Sequence, residues 1–321
     1  MSSLITVDYC RQLRRRKKSK CQRKESTRLL KCWCKLEVRY LIFFRNNGNF
    51  VTAGTNGNIA LWQSKQIVKT VNMFKVNSKP IMKRNASEIV ATGETEKVCV
   101  LNDELEIKQQ FNGYDKTPRS IDFDKKYIII GYSGGMVHLH NRRNNDRKEV
   151  KVNLKDKSNL NPQINSHDSS VCSVCLNQHY AISASNDTTI QVYSLAMRKT
   201  VKTLNHSKSV YCVSFGPIST WLASKLISCS GDKTLRIWNV ENGKTKDEFK
   251  HDNWCWSFDI DQNGDTLAVA CDKVVSIWSI RDHRKMADIK TDSYAMDVRF
   301  NKFNNTIVAG CNKGGVYKIT L

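Results

Sequence analysis

His206, Ser228 and Asp232 are the residue types of a hydrolytic triad, a hydroxyl nucleophile, a base and an orienting carboxylate. Gly131-Tyr132-Ser133-Gly134-Gly135 fits G-x-S-x-G, the sharp turn that presents a nucleophilic serine at the end of a strand. Cys172 and Cys175 have the C-x-x-C spacing of a redox or metal-binding pair. Each chemistry requires a particular frame. The serine elbow needs a strand leading into a helix, and a thiol pair needs both sulfurs on one face. The elements that carry these residues therefore decide what they can do.

Those elements repeat. One phrase runs from His206 through Val210, Val213 and Phe215 to Ser228, Ser230, Gly231, Asp232, Lys233 and Thr234, and closes on Ile237-Trp238-Asn239. A second copy opens at His167, passes Val171, Val174 and Leu176, and closes on Ser183, Asp187 and Tyr193. With the tight turn as landmark, the copies fall at Asn56, Glu96, Gly134, Asp187, Asp232, Asp272 and Asn312, with gaps of 40, 38, 53, 45, 40 and 40 residues. The matching aromatic slot reads Trp62, Asn102, His140, Tyr193, Trp238, Trp278 and Lys318. Each unit holds three or four short apolar runs of strand length, separated by Asn- and Gly-bearing turns, with little helical periodicity. Four strands in about 40 to 45 residues is the blade of a propeller.

The phrase resembles the WD40 repeat family over roughly residues 36–321. The resemblance implies an all-β, seven-bladed propeller spanning 28–321 behind a basic, disordered arm at 1–27. It implies closure of the last blade by an N-terminal strand near 28–34, with Leu29, Leu30, Cys32 and Trp33 as its residues. It also implies that a His, a hydroxyl, an Asp and a Trp cross-link each blade: His206, Ser228, Asp232 and Trp238 in the fifth; His167, Ser183 and Asp187 in the fourth, with Tyr193 in the Trp slot; and His251, Asp272 and Trp278 in the sixth, which lacks the hydroxyl. On this frame the triad is a buried linkage and Ser133 sits on a strand-to-strand turn. Cys172 and Cys175, three apart in a strand, point to opposite faces. No Gly-rich phosphate loop, paired carboxylates or metal cage stands out, so no enzyme, cofactor or metal site is expected.

The resemblance further places the residue three after each blade's His on the top face: Ser170, Ser209 and Trp254, joined by Thr117, Tyr294 and Val38, with Arg39 beside the ring. Trp254 and Tyr294 bury much area at low entropic cost and suit a protein partner. Trp278-Ser279-Ile280-Arg281 is similar to the W-D-x-R motif by which some family members dock on cullin-4 ligase adaptors, and His140-Asn141-Arg142-Arg143 is a poorer copy. Blade order and degeneracy resemble the F-box/WD repeat substrate receptors, although residues 1–30 hold no leucine-rich helical segment.

Composition sets the remaining bounds. The chain has 321 residues and a net charge of +22. No apolar run is long enough to span a membrane, and Met1–Asp8 is too short and too soon followed by charge for a signal peptide. The twelve cysteines are expected as reduced thiols, which points to cytoplasm or nucleus. Cys10, Cys21, Cys32 and Cys34 match no familiar zinc spacing. Residues 1–36 carry twelve Lys or Arg against Asp8 and Glu25, densest at Arg14, Arg15, Arg16, Lys17 and Lys18. That run suits nuclear import, nucleic-acid phosphates or an acidic protein face. A second basic stretch, 142–157, reads as a loop. The expected molecule is a monomeric scaffold within a larger complex, with a cullin-type ligase receptor and an RNA- or chromatin-associated component as its two forms.

Overall fold

The computed structural model describes residues 4–6, 38–43, 50–142 and 167–320, apart from 55–56, 64–65, 76–79, 86, 95–96, 114–115, 218, 302–305 and 312–315. The arm residues Arg14 to Lys18, Cys10, Cys21, Cys32, Cys34, the expected closing strand at 28–34 and the loop beyond Arg142 lie outside the described residues. So do the landmark residues Asn56, Glu96 and Asn312.

The described residues contain strands and no helix. The first sheet has five strands, β1 (Leu4–Thr6), β2 (Val38–Phe43), β3 (Phe50–Gly54), β4 (Asn58–Gln63) and β5 (Gln66–Asn72), in that order. The second holds β6 (Ile81–Arg84), β7 (Ile89–Thr92), β8 (Lys97–Leu101) and β9 (Ile107–Asn112). The third holds β10 (Pro118–Phe123), β11 (Tyr127–Tyr132) and β12 (Val137–Asn141). The fourth runs β13 (Val171–Leu176), β14 (Tyr180–Ser185), β15 (Thr189–Ser194) and β16 (Lys199–Asn205). The fifth runs β17 (Val210–Phe215), β18 (Lys225–Ser230), β19 (Thr234–Asn239) and β20 (Lys244–Lys250). The sixth runs β21 (Cys255–Ile260), β22 (Thr266–Cys271), β23 (Val274–Ser279) and β24 (Arg284–Lys290). The last holds β25 (Ala295–Asn301), β26 (Thr306–Cys311) and β27 (Val316–Thr320). The described landmark residues Gly134, Asp187, Asp232 and Asp272 lie between the second and third strands of the repeat in their sheets. One strand, β1, falls inside the basic stretch 1–27 and pairs antiparallel with β2, Ile5 opposite Leu41.

Two compact units emerge, 1–118 with 310–316 and 119–309 with 317–321. Within the first, Val51, Ile59 and Leu61 of the first sheet pack on Met82, Ile89 and Leu101 of the second. Within the second, sheets stack face on face. Ile190 and Val192 meet Val210, Val213 and Leu226, and Ile227, Leu235 and Phe249 meet Phe258, Leu267 and Val269. Second strands are covered on both faces, so β14, β18 and β22 are buried at nearly every residue, whereas the fourth strands β16, β20 and β24 are largely exposed. This burial gradient is why the runs AISAS, LISCS and LAVAC lack polar alternation. Full burial of a residue such as Ile227 is worth about 1.5–3 kcal/mol.

Within the second unit, first strands lie side by side and are tied at the repeat period. Ser173 Oγ donates to Val213 O at 3.4 Å, Ser257 Oγ donates to Asp297 Oδ1 at 2.5 Å, and Phe300 N donates to Asp259 Oδ2 at 2.8 Å. The same register slip recurs in four first strands, between Val38 and Tyr40, Val171 and Ser173, Val210 and Cys212, and Cys255 and Ser257. Each slip is a β-bulge that leaves one residue outside the ladder pairing.

Candidate functional site

The fifth sheet holds a complete polar chain. Trp238 Nε1 donates to Ser228 Oγ at 2.8 Å, Ser228 Oγ lies 2.8 Å from His206 Nε2, and His206 Nδ1 lies 2.8 Å from Asp232 Oδ2. Asp232 Oδ1 also accepts from Thr234 N at 3.0 Å and Thr234 Oγ1 at 2.7 Å. Burial raises the Asp232 pKa, but hydrogen bonds from His206 and Thr234 outweigh it and hold the carboxyl far below its usual range. In the fourth sheet His167 lies 2.9 Å from Asp187 and 2.8 Å from Ser183, with Tyr193 buried in the aromatic slot. A serine with this geometry has a nucleophile's partners but no substrate access, because Ser228 is fully buried and its oxygen is capped by an indole N–H. Ser133 lies on the turn between β11 and β12, with strands on both sides, so the elbow geometry is absent. Cys172 hydrogen-bonds Asn186 Oδ1 at 3.0 Å, while Cys175 packs in the core between the fourth and fifth sheets.

The sixth sheet departs from the expected linkage. Its turn lacks a counterpart of Gly231, so Asp272 follows Cys271 directly and takes a φ of +51°. The Asp272 Oδ1 atom is buried without a hydrogen-bond partner, and His251 Nδ1 faces Cys271 Sγ at 3.3 Å instead of a carboxylate. Val269 stands where the fifth sheet has Ser228, opposite Phe258 as Ser228 is opposite Val213. Both His251 Nε2 and Trp278 Nε1 are consequently buried without a partner. Trp278 thus packs against the core, with Lys285 over its ring. Arg281 is exposed and paired to Asp265 at 2.5 Å.

The expected recognition residues sit at the start of the first strands. Trp254 and Tyr294 are each 45% exposed, with Lys273 Nζ 5.9 Å from the Tyr294 ring centroid. Ser209 donates to Asn186 O at 3.1 Å, and Ser170 O accepts from Ser185 Oγ and Asn186 N. Ser209 thus holds the neighbouring turn through its side chain, and Ser170 does so through its backbone carbonyl. Thr117 hydrogen-bonds Glu94. The ladder shifts one expectation: Val38 pairs with Gly54 as Val210 pairs with Ser230, so Val38 matches Val210 rather than Ser209, and Arg39 occupies the bulge.

That bulge position is what the sequence reading missed. Tyr211 and Trp256 occupy it in the fifth and sixth sheets and stack at 4.5 Å with 25° between planes. Trp254 lies 6.4 Å from Tyr211 and 5.7 Å from Trp256. Cys172 is the fourth-sheet bulge residue, and its thiol is pushed up by burial and held back by the neighbouring Arg119 guanidinium. Arg119 and Met296, both exposed, take the equivalent places in β10 and β25. A row of cation, thiol, phenol, indole and thioether therefore runs along one edge of this unit. Its sequence signal is an aromatic one residue past the first apolar strand position, in Val210-Tyr211 and Cys255-Trp256.

The family described as "WD domain, G-beta repeat" matches residues 159–194, 198–239 and 243–279. These spans reach from the fourth sheet to β23 of the sixth, where the His–hydroxyl–Asp linkage and its altered form lie. The chain carries three WD40 repeats. Its all-β build of successive antiparallel four-stranded sheets is the WD40 blade pattern. Among curated proteins, the chain is similar to "Nuclear distribution protein PAC1" of Komagataella phaffii (strain GS115 / ATCC 20864), 35% identical over 86 residues. The match covers 25% of this chain and 17% of that protein, so the chain spans under a fifth of the curated relative it matches. Among the described residues, no helix is long and apolar enough to cross a membrane.

Proposed function

We propose that this WD40-repeat protein is a non-enzymatic interaction scaffold that captures a protein partner on the aromatic edge formed by Trp254, Trp256, Tyr211 and Tyr294. The observation that carries the reading is the exposure of Trp254 beside a stacked Tyr211–Trp256 pair, with Tyr294 equally exposed at the start of the next first strand. Clustered indole and phenol rings at a half-open edge are the usual anchors of protein interfaces. Lys273 at Tyr294 and Arg119 further along the row favour a partner segment that brings acidic groups beside an apolar anchor.

The test is capture of cross-linked partners by the tagged full chain, quantified by mass spectrometry against a Trp254→Ala/Tyr294→Ala double variant and with nuclease present. Nuclease-resistant partners lost at least tenfold in the folded variant support the reading, and unchanged recovery overturns it. The finer role, substrate capture for a cullin-type ubiquitin ligase, rests on the exposed Arg281 and predicts adaptor recovery that Arg281→Ala abolishes. The nucleic-acid reading rests on the basic charge of residues 1–27 and predicts nuclease-sensitive partners, lost when that stretch is deleted.

A further inference from the structure

His251, Cys255 and Cys271 bring one imidazole nitrogen and two sulfurs to within 4.8 Å of one another, all three side chains buried. Cys255 opens β21, Cys271 closes β22, and their Cα atoms are partners across the ladder. The two sulfurs are 3.4 Å apart, and Cys271 Sγ is 3.3 Å from His251 Nδ1. The loop bearing His251 is fixed from outside, since its backbone N–H donates to Lys233 O at 2.8 Å.

The neighbouring repeats show how the cluster arose. The fourth and fifth sheets hold Val171 and Val210 where the sixth has Cys255, and Ser185 and Ser230 where it has Cys271. In those sheets the histidine Nδ1 faces Asp187 or Asp232. In the sixth the carboxylate is lost from that position and two sulfurs take its place. His251 Nδ1 is thus redirected from a carboxylate to a soft donor set.

We propose that His251 Nδ1, Cys255 Sγ and Cys271 Sγ bind a single thiophilic d10 cation, Zn(II) or Cu(I). Thiolate and imidazole together select these ions over the hard cations. Bond lengths of about 2.3 Å to sulfur and about 2.0–2.1 Å to nitrogen place tetrahedral ligands roughly 3.7 Å (S to S) and 3.5 Å (S to N) apart. The Cys255–Cys271 and Cys271–His251 spacings of 3.4 and 3.3 Å need shifts of only a few tenths of an ångström, and the third pair, His251 and Cys255, lies within 4.8 Å and closes onto the ion as it binds. Two thiolates neutralise a divalent ion, which removes the main cost of burying it. Binding displaces one proton from each thiol to solvent and involves no redox change. The ion would pin the starting end of β21 directly between Trp254 and Trp256, which flank Cys255 in sequence.

The experiment uses the full chain, reduced and stripped with chelator, then titrated anaerobically with Zn(II), with Cu(I) held by a competing ligand, and with Co(II) as a spectroscopic probe. Cys255→Val and Cys271→Ser each install the fifth sheet's own residue at the equivalent place, so both variants retain the fold, which circular dichroism verifies. The expected result is one equivalent of Zn(II) or Cu(I) fewer in each variant, a weaker Co(II)–thiolate charge-transfer band, and a metal-dependent rise in the wild-type melting midpoint that both variants lose. Cys212→Ser should keep all three. Whichever of Zn(II) and Cu(I) survives the competitor at one equivalent identifies the resident ion. Equal stoichiometry and equal Co(II) spectra in wild type and variants would overturn the proposal and assign any bound ion to the remaining cysteines. If a variant fails to fold, mass-spectrometric alkylation of wild type in mild denaturant decides: metal must slow modification of Cys255 and Cys271 at least tenfold, and equal rates sink the site.

Discussion

A hydroxyl placed between an indole N–H and an imidazole satisfies two buried groups at once, and Ser228 does this for Trp238 and His206. Ser228→Ala leaves both nitrogens buried without partners, so unfolding free energy should fall by about 2–4 kcal/mol, read as a shift in the urea midpoint. The sixth sheet supplies the reciprocal experiment. Val269→Thr keeps the branched shape and offers a hydroxyl where His251 Nε2 and Trp278 Nε1 have none, so stability should rise by about 1 kcal/mol. A drop on Val269→Thr would mean the hydroxyl cannot reach either nitrogen.

Turns and bulges set what each sheet presents. Gly135, at φ +87° between β11 and β12, lies so close to the opening of the fourth sheet that a Cβ there would sit 1.9 Å from His167 O, while Gly135 O accepts from His167 N at 3.1 Å. Gly135→Ala combines a disfavoured left-handed backbone with a clash against main chain, so a loss of about 2 kcal/mol or more is expected in thermal unfolding. The turns were the most legible part of the sequence, because Gly134, Asp187, Asp232 and Asp272, spaced 53, 45 and 40 residues apart, each mark a junction of second and third strands. The linkages of the fourth and fifth sheets were legible for the same reason. Three features were not. One missing residue ahead of Asp272 changes which atom His251 meets, and no residue pattern announces that. Bulges shift the facing of a strand by one position, which displaced Val38 and hid Tyr211 and Trp256. The His251–Cys255–Cys271 cluster forms across a ladder, so its sequence separations match no familiar metal motif.

The whole molecule carries a titration signature. Burial, reinforced by His138, pushes the His140 imidazole down to about 3, and burial also lowers His167. A base whose folded pKa is depressed adds no penalty above its unfolded value, near 6.5, and costs stability as pH falls below it, because only the unfolded chain takes up the proton. The carboxylates Asp187 and Asp232, depressed when folded, lose their contribution only below their unfolded value of about 3.8. Between about pH 6.5 and 4 the histidines therefore dominate, and the urea midpoint should fall steadily through that window. His140→Tyr, which installs the residue type of the fourth sheet's slot, should flatten the slope, and an unchanged slope would exclude His140 as its source. The bulges bear on a different timescale. A residue held outside the ladder can be exchanged without slipping the register of its strand. Within one chain that place already holds arginine in the first sheet and cysteine, tyrosine and tryptophan in the fourth to sixth. Duplication of such a repeat multiplies a single permissive position into a series of independently mutable ones. Binding preference can then drift by single substitutions, while the selection that preserves the fold acts on other residues.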